Sequence, residues 1–326
     1  MTTRDAALSL AVAVAWGVCF VLLGTLVRAG DPLLLAAVRA LLGGGVLAGA
    51  VVWRGGPRRL LEAGAGWRVM TLLALLNGSI ALGAMFLAAG RADVAAETVV
   101  GNAQPILLAV AGAVLFEERA GRRAALGIAL GAAGVLLVAA WSRAEEAEPI
   151  GLALALLSTS APAAGTVLMR RLVGRVDLLV VTAWQFLAGG AILLALAAIV
   201  EEPLVVRLSG SDVLALAFLG VVGTGLSYLV WFGLLERVPL AHLGSALYLV
   251  PIAGVTADVL AGGRVGLSAI TGLAMMLAGV AIANSRPATG GRATPVRAMH
   301  ASERAAGPSA EPLSRASGAA HSVAAG

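Results

Sequence analysis

Three charged residues, Arg39, Glu97 and Asp258, interrupt stretches of sequence that are otherwise apolar. An arginine near the centre of a membrane helix costs about 2.5–3.5 kcal/mol on insertion scales, so it needs a partner or a water-filled cavity. Arg39 could bind the carboxylate of a small solute, and Glu97 or Asp258 could titrate as proton-coupling groups. The alternatives are a static buried ion pair between Arg39 and one of these acids, or an arginine that snorkels to the membrane interface.

Uncharged polar and aromatic side chains offer further contacts for a solute. The same residue types also hold packed helices together, so each has a structural alternative. Two prolines are predicted to kink their helices and free backbone carbonyls at membrane depth, where a cavity can form. The candidate binding residues are Trp16, Asn77, Asn102, Gln104, Gln185, Tyr228 and Tyr248, and the candidate kinks are Pro105 and Pro251.

Signals for catalysis, nucleotide binding or metal coordination are weak. The sequence has no GxxxxGK[ST] phosphate loop, and its one cysteine and three histidines do not form a metal-ligand pattern. An intramembrane enzyme would need Glu97 and Asp258 to face one cavity. We therefore predict that the protein is not an enzyme and has neither cofactor nor metal.

Hydropathy dominates the chain that must position these residues. Of its 326 residues 60% are hydrophobic and 13% are charged, with a mean hydropathy of +0.94, whereas soluble domains carry about 25% charged residues. About 20 apolar residues cross the bilayer core. Reading between the charges gives ten spans: 6–27, 32–53, 69–90, 94–116, 124–142, 149–169, 178–200, 213–235, 238–262 and 265–285.

The basic residues set the predicted orientation. All 23 are arginines, and most fall in segments on the same side as the N-terminus. By the positive-inside rule both termini are then cytoplasmic and the protein is a multi-pass protein of the inner (plasma) membrane. Arginines at the ends of spans indicate topology and not a nucleic-acid surface. Residues 286–326 lack apolar periodicity and are predicted to be a disordered cytoplasmic tail.

The sequence also repeats itself. Residues 28–47 align with 174–193 and residues 91–106 with 237–252, both at an offset of 146. The alignment predicts a first repeat at 1–142 and a second at 149–285. Because each repeat contains five spans, an odd number, the second must cross the membrane in the opposite direction. Inverted repeats are a recurring design of secondary transporters.

The motifs of these repeats resemble the EamA-type branch of the drug/metabolite transporter superfamily. Trp16 and Gly17 followed by Phe20 are similar to the family's opening motif, and Pro105 followed by LFEER at 115–119 is similar to the close of its fourth helix. Pro251 repeats that proline, but AGGR at 261–264 lacks the acidic residue, so the family's carboxylate carries over only to Glu118. The resemblance implies ten helices and the export of amino acids, metabolites or drugs.

We therefore expect an all-α integral membrane protein of two inverted five-helix repeats, working as a secondary transporter. It would export a small-molecule solute by alternating access, with or without protons, through a cavity between the first four helices of each half. A membrane-embedded sensor or scaffold is the alternative. Small residues spaced four apart, Gly127 with Gly131 and Ala274 with Ala278, permit close helix packing within the chain or in a homodimer.

Overall fold

Helices make up the regular structure of the part of the chain that the computed structural model describes, residues 2–89, 104–117, 121–141, 149–201, 206–260 and 267–285. A short 3₁₀ turn, Pro57–Leu61, follows the second helix. The helices are α1 (Thr3–Leu26), α2 (Pro32–Gly55), α3 (Trp67–Ala89), α4 (Gln104–Leu115), α5 (Arg122–Trp141), α6 (Pro149–Leu172), α7 (Leu178–Val200), α8 (Gly210–Leu235), α9 (Leu240–Ala246), α10 (Leu249–Leu260) and α11 (Leu267–Asn284).

Six of these helices, α1, α2, α3, α6, α7 and α8, are long and apolar enough to cross a membrane. The shorter apolar segments are Gln104–Leu115, Leu240–Thr256, which comprises α9 and the first part of α10, and Ile270–Asn284 within α11. Large apolar side chains on the outer surface, such as Val114 and Leu260, are exposed as a lipid-facing surface requires. The all-α membrane fold is therefore confirmed, while the full set of ten crossings stays a prediction. The predicted tail at 286–326 lies outside the described residues.

Polar residues at the helix ends explain why the long helices begin where they do. Thr2 and Asp5 form a capping box at the start of α1, and Ser209 and Asp212 form another at the start of α8. Each side chain accepts a hydrogen bond from an N–H group that has no partner within its helix. Asp5 also forms an ion pair with Arg237, with 2.8 Å between a carboxylate oxygen and Nε.

The equivalent helices α2 and α7 pack directly against each other through reciprocal glycine contacts. A methyl group added at Gly44 would lie 2.8 Å from the backbone nitrogen of Leu187, and one added at Gly190 would lie 2.8 Å from Cγ of Leu41. Both glycines and both leucines are separated by the repeat offset of 146. Gly44 thus contacts Leu187, and the residues equivalent to these two, Gly190 and Leu41, contact each other in the same way. A two-fold axis between the repeats produces this pattern.

The ends of α2 and α7 show that these equivalent helices run antiparallel. Glu201, directly after α7, accepts hydrogen bonds from the backbone N–H groups of Leu33 and Leu34 in the first turn of α2, at 2.8 and 3.1 Å. At the opposite end Arg59, just after α2, forms an ion pair with Asp177, the residue that caps the start of α7, at 2.7 Å. Each helix therefore begins where the other ends.

Helices α5 and α11 form a second reciprocal pair, at an offset of 145. A methyl group added at Gly127 would overlap the backbone oxygen of Gly279, and one added at Gly134 would lie 2.6 Å from the backbone oxygen of Gly272. Gly131 packs against the ring of Tyr248. The small residues predicted for close packing at 127 and 131 are thus used within the chain, and a homodimer stays a prediction.

Helices α3 and α8 each contain a π-helical segment at repeat-equivalent positions. These segments span Ala74–Ile80 and Leu219–Leu226. In each, a hydroxyl group donates to the carbonyl five residues earlier, Ser79 to Ala74 at 3.3 Å and Thr224 to Leu219 at 3.0 Å. Such segments are rare and occur often at functional sites. Apolar periodicity did not predict them.

The predicted ninth span is divided into α9 and α10 at Leu247 and Tyr248. Pro251 has no N–H group to donate to the carbonyl of Leu247, and Val250 donates to that carbonyl instead at 3.0 Å. The break therefore falls one turn before the proline. Pro105 lies in α4 next to the point at which the described residues resume, so its predicted kink stays a prediction.

Candidate functional site

Arg39 of α2 lies between the two repeats, with 4% of its surface exposed. Its Nε donates to the hydroxyl of Thr224 in the π-helical segment of α8 at 3.0 Å. Its Nη1 is buried without a hydrogen-bond partner among the described residues. A buried guanidinium with an unused donor is a group that an incoming acceptor can satisfy.

The π-helical segment of α8 presents two neighbouring residues, Gly223 and Thr224, to α1 and α2. Thr224 accepts from Arg39, while the carbonyl of Gly223 accepts from Nε1 of Trp16 at 2.8 Å. A methyl group added at Gly223 would overlap Sγ of Cys19 and would lie 3.7 Å from Nη2 of Arg39. The absence of a side chain at this position therefore lets the thiol and the guanidinium approach the same point of α8.

Aromatic rings form one wall beside this polar group. The ring of Trp16 lies 5.4 Å from that of Tyr228 and 5.3 Å from that of Trp231, and Tyr228 packs edge-on against Phe186 with centroids 4.7 Å apart. These separations are in the range of favourable aromatic pairs. Trp231 is further held by a hydrogen bond from its Nε1 to the hydroxyl of Thr166 at 3.3 Å. The wall is contributed by helices of both repeats.

A buried amide pair occupies the equivalent place in the other repeat. Nδ2 of Asn77, in the π-helical segment of α3, donates to Oε1 of Gln185 in α7 at 3.0 Å. Both side chains are almost fully buried, and Oδ1 of Asn77 and Nε2 of Gln185 have no partner in the part of the chain that the structure describes. The side chain of Asn77 fits closely against Gly165 of α6. One acceptor and one donor are thus left unsatisfied in the interior.

The two polar groups are related by the repeat. Gln185 stands 146 residues after Arg39, and each reaches the π-helical segment of the opposite half, Gln185 in α3 and Arg39 in α8. The arrangement is geometrically reciprocal but electrically unequal, because one half offers a cation and the other a neutral amide.

The structure brings together five of the predicted binding residues, Trp16, Arg39, Asn77, Gln185 and Tyr228, around the interface of the repeats. Tyr248 lies elsewhere: its hydroxyl donates to the carbonyl of Ile128 at 3.0 Å, within the α5 and α11 packing. Gln104 is half-buried at the start of α4. Their roles in binding stay predictions.

Four predicted residues cannot be placed in the site. Glu97, Asn102 and Glu118 lie outside the described residues, and so does the side chain of Asp258, whose backbone belongs to α10. The predicted pairing of Arg39 with Glu97 or Asp258 therefore stays a prediction, as does proton coupling through either acid.

Sequence reasoning did not assign Cys19, Phe186 or Gly223 to the site. Helical spacing was an available signal, since Cys19 stands three residues after Trp16 and so shares its face of α1. Phe186 directly follows Gln185, which was predicted. Gly223 carried no such signal, because its role rests on its backbone carbonyl and on the space beside its Cα.

Known proteins with similar sequences form a consistent group. The model of the EamA-like transporter family matches residues 5–140 and again residues 149–285. The chain is 31% identical over 248 residues to a WAT1-related chloroplastic protein of Arabidopsis thaliana, covering 73% of this chain but only 58% of that relative. It is 28% identical over 296 residues to a probable amino-acid metabolite efflux pump of Salmonella typhimurium, covering 86% of this chain and 95% of the relative.

The fold is also similar to a solved structure. A protein of known crystal structure superposes with a TM-score of 0.74 at 25% sequence identity, and the match covers 87% of this chain and 97% of that one. The likeness extends over both matched repeats and not over a local motif.

Proposed function

Because the chain belongs to the EamA-like transporter family, we propose that it exports small metabolites, amino acids or drugs by alternating access, with residues 1–142 and 149–285 as inverted halves. The Salmonella relative, named as a probable amino-acid metabolite efflux pump, supports both the direction and the class of cargo. The proposal places the protein in the inner (plasma) membrane with both termini in the cytoplasm.

One observation carries the proposal: unsatisfied polar groups are buried where the two repeats meet. Arg39 and Gln185 occupy equivalent positions, and each contacts a π-helical segment of the opposite half. Rocking one half against the other would change both contacts together, which is what a site that opens alternately to the two sides requires. A static scaffold has no need of unpaired donors at this depth.

Flux measurements test the function. Purified protein in liposomes, loaded with a panel of unlabelled amino acids and metabolites, should drive counterflow of the matching labelled solute. A proton gradient imposed across the same liposomes, and then collapsed with an ionophore, separates proton coupling from exchange or facilitated diffusion.

Protein-free liposomes provide the baseline for leakage. Flux no greater than this baseline for every solute of the panel, in either orientation and with or without the gradient, would contradict a transport function.

A further inference from the structure

We propose that the central site binds a monoanionic solute, a small carboxylate with an apolar or aromatic body, and that Arg39 holds its carboxylate. The inference rests on the proposed function and deepens it by naming the class of substrate.

Among the residues that the structure describes, none that contacts Arg39 compensates its charge. Within that set its one hydrogen-bond acceptor is the neutral hydroxyl of Thr224, and its Nη1 has none. Cys19 and Tyr228 are the described titratable groups within electrostatic range, and both are neutral in their ordinary protonation state at pH 7. A buried cation is costly unless an opposite charge accompanies it. An anionic ligand supplies that charge and accepts from the unused Nη1.

The geometry of the group favours a carboxylate. A guanidinium presents its N–H donors as a planar fork, and a carboxylate can accept from two of them at once. Since Nε is already bonded to Thr224, the two terminal nitrogens form the face that remains for a ligand. A single arginine matches a single negative charge, whereas a dianionic phosphate would leave one charge without a counterpart.

The surroundings of Arg39 indicate an apolar body for the solute. Trp16 is half-buried, and its hydrogen bond to the carbonyl of Gly223 holds it beside Thr224. Its ring packs against the ring of Tyr228. These rings offer dispersion contacts and few hydrogen bonds. A solute that carries its charge at one end and an apolar group at the other fits both features.

The pseudo-symmetry of the two halves gives the solute one orientation. At the position equivalent to Arg39, Gln185 is neutral and already accepts from Asn77. The charge of a carboxylate is therefore neutralised by Arg39 on the α2 side and would not be neutralised by Gln185 on the α7 side. The remaining donor of Gln185 and acceptor of Asn77 can hydrogen-bond polar groups of the solute but cannot neutralise its charge.

The lone cysteine makes the inference testable without a transport assay. Cys19 and Nη2 of Arg39 border the same glycine, Gly223. Two methanethiosulfonates of similar size, one carrying a sulfonate and one a trimethylammonium group, should modify Cys19 at different rates. After correction for their reactivity with a free thiol, the anionic reagent should react at least about tenfold faster, equivalent to about 1.4 kcal/mol.

Three variants test whether Arg39 causes the faster reaction of Cys19 with the anionic reagent. Arg39→Gln should remove it, and Arg39→Lys, which keeps the charge, should retain most of it. Arg54→Gln is the matched control, because Arg54 lies in the last turn of the same helix and is exposed. Only variants that elute as monodisperse protein and keep the wild-type melting temperature within a few degrees are compared. If Arg39→Gln fails this criterion, two measurements decide the inference instead. They are the ratio of the two reagents' rates in Arg39→Lys and the protection of Cys19 by ligands.

Ligand protection identifies the class of solute. Aromatic and aliphatic monocarboxylates should slow the modification of Cys19, whereas their primary amides should protect at least several-fold less. Equal rates for the two reagents, equal protection by acids and amides, or no reaction of Cys19 under any condition would overturn the inference. Counterflow of an amide without carboxylate protection would overturn the inference alone and leave the transport function intact.

Discussion

At the scale of single residues, the interface of the repeats depends on polar groups that are only half satisfied. Asn77 and Gln185 share one hydrogen bond and leave one acceptor and one donor buried without partners among the described side chains. Such groups cost free energy when they stay unpaired. A bound solute, or the second conformation of a transport cycle, is the natural source of their missing partners.

We expect the coupling within this amide pair to be measurable. Gln185→Met removes the amide at similar length and leaves Asn77 unbonded, so it should destabilise the protein by about 0.6–1.7 kcal/mol, the range for hydrogen bonds between membrane helices. Asn77→Ala should cost a similar amount. Thermal unfolding in detergent measures both. The double variant should lose less than the sum of the single losses, and strictly additive losses would contradict the contact.

Thr224 is expected to matter more than a hydroxyl in a membrane helix usually does. Thr224→Val keeps the shape but leaves Nε of Arg39 without an acceptor, which should lower the free energy of unfolding by about 1–3 kcal/mol.

Ser227→Ala is the matched control for Thr224→Val. Ser227 also donates to the carbonyl five residues earlier, that of Val222 at 2.7 Å, and it does not contact Arg39 through a hydrogen bond. Its removal should cost no more than a few tenths of a kcal/mol. Equal melting temperatures for the two variants would show that the contact with Arg39 adds no stability.

At the scale of helices, the reciprocal packing of α2 and α7 depends on the glycines that contact the opposite helix. Glycines of the same helix that have no close neighbour should tolerate a side chain. Gly44→Ala and Gly190→Ala each place a methyl group within 3 Å of the opposite helix, so each should destabilise by about 1–3 kcal/mol. Gly45→Ala, one residue away, meets nothing within 4 Å and should be neutral or slightly stabilising. Melting temperatures in detergent compare them, and a loss for Gly45→Ala as large as for Gly44→Ala would refute the proposed packing.

The bounds of the helices were predictable because charges mark where apolar segments end. The predicted span 178–200 coincides with α7, and the span 32–53 differs from α2 by two residues. The π-helical segments were not predictable in this way, since an extra residue in a turn changes neither hydropathy nor length noticeably. Ser79 and Thr224, hydroxyl residues in corresponding stretches of the two repeats, were a local sign of them.

The partner of Arg39 illustrates the limit of the same reasoning for the site. Position along a span gives the depth of a residue in the membrane, so acids at similar depth were the natural partners to predict. Depth does not give the rotation of a helix about its axis, and the contact found is with Thr224. The offset of 146 nevertheless pairs Arg39 with Gln185 in the sequence, and each of the two contacts a π-helical segment of the other half.

At the scale of the whole molecule, the antiparallel pairing of α2 and α7 predicts the membrane topology. Arg58 follows the end of α2, whereas Arg207 lies at its start, where its N–H donates to the carbonyl of Ala29 at 2.7 Å. In a Cys19→Ser background, cysteines introduced at 58 and 207 should react with an impermeant maleimide from opposite sides of the membrane. Reaction from a common side would contradict the inverted arrangement.

The two ends of the α2 and α7 pair are closed by different contacts, and this difference should control which side of the protein opens. Glu201 binds the first turn of α2 at one end, and Arg59 pairs with Asp177 at the other. Glu201→Gln keeps an acceptor but loses the charge that a helix N-terminus favours by about 0.3–1 kcal/mol. Asp177→Asn keeps a residue able to cap α7 but loses the ion pair with Arg59.

Opposite shifts in accessibility are therefore expected from these two variants. Glu201→Gln should raise the rate at which Cys19 reacts with reagent added on the side of Arg207, by about two- to fivefold for a change of 0.3–1 kcal/mol. Asp177→Asn should raise the rate from the side of Arg58. Liposomes of known protein orientation allow the reagent to be added on either side. If both variants increased reaction from the same side, the contacts would stabilise the fold in general and would not select between its two open forms.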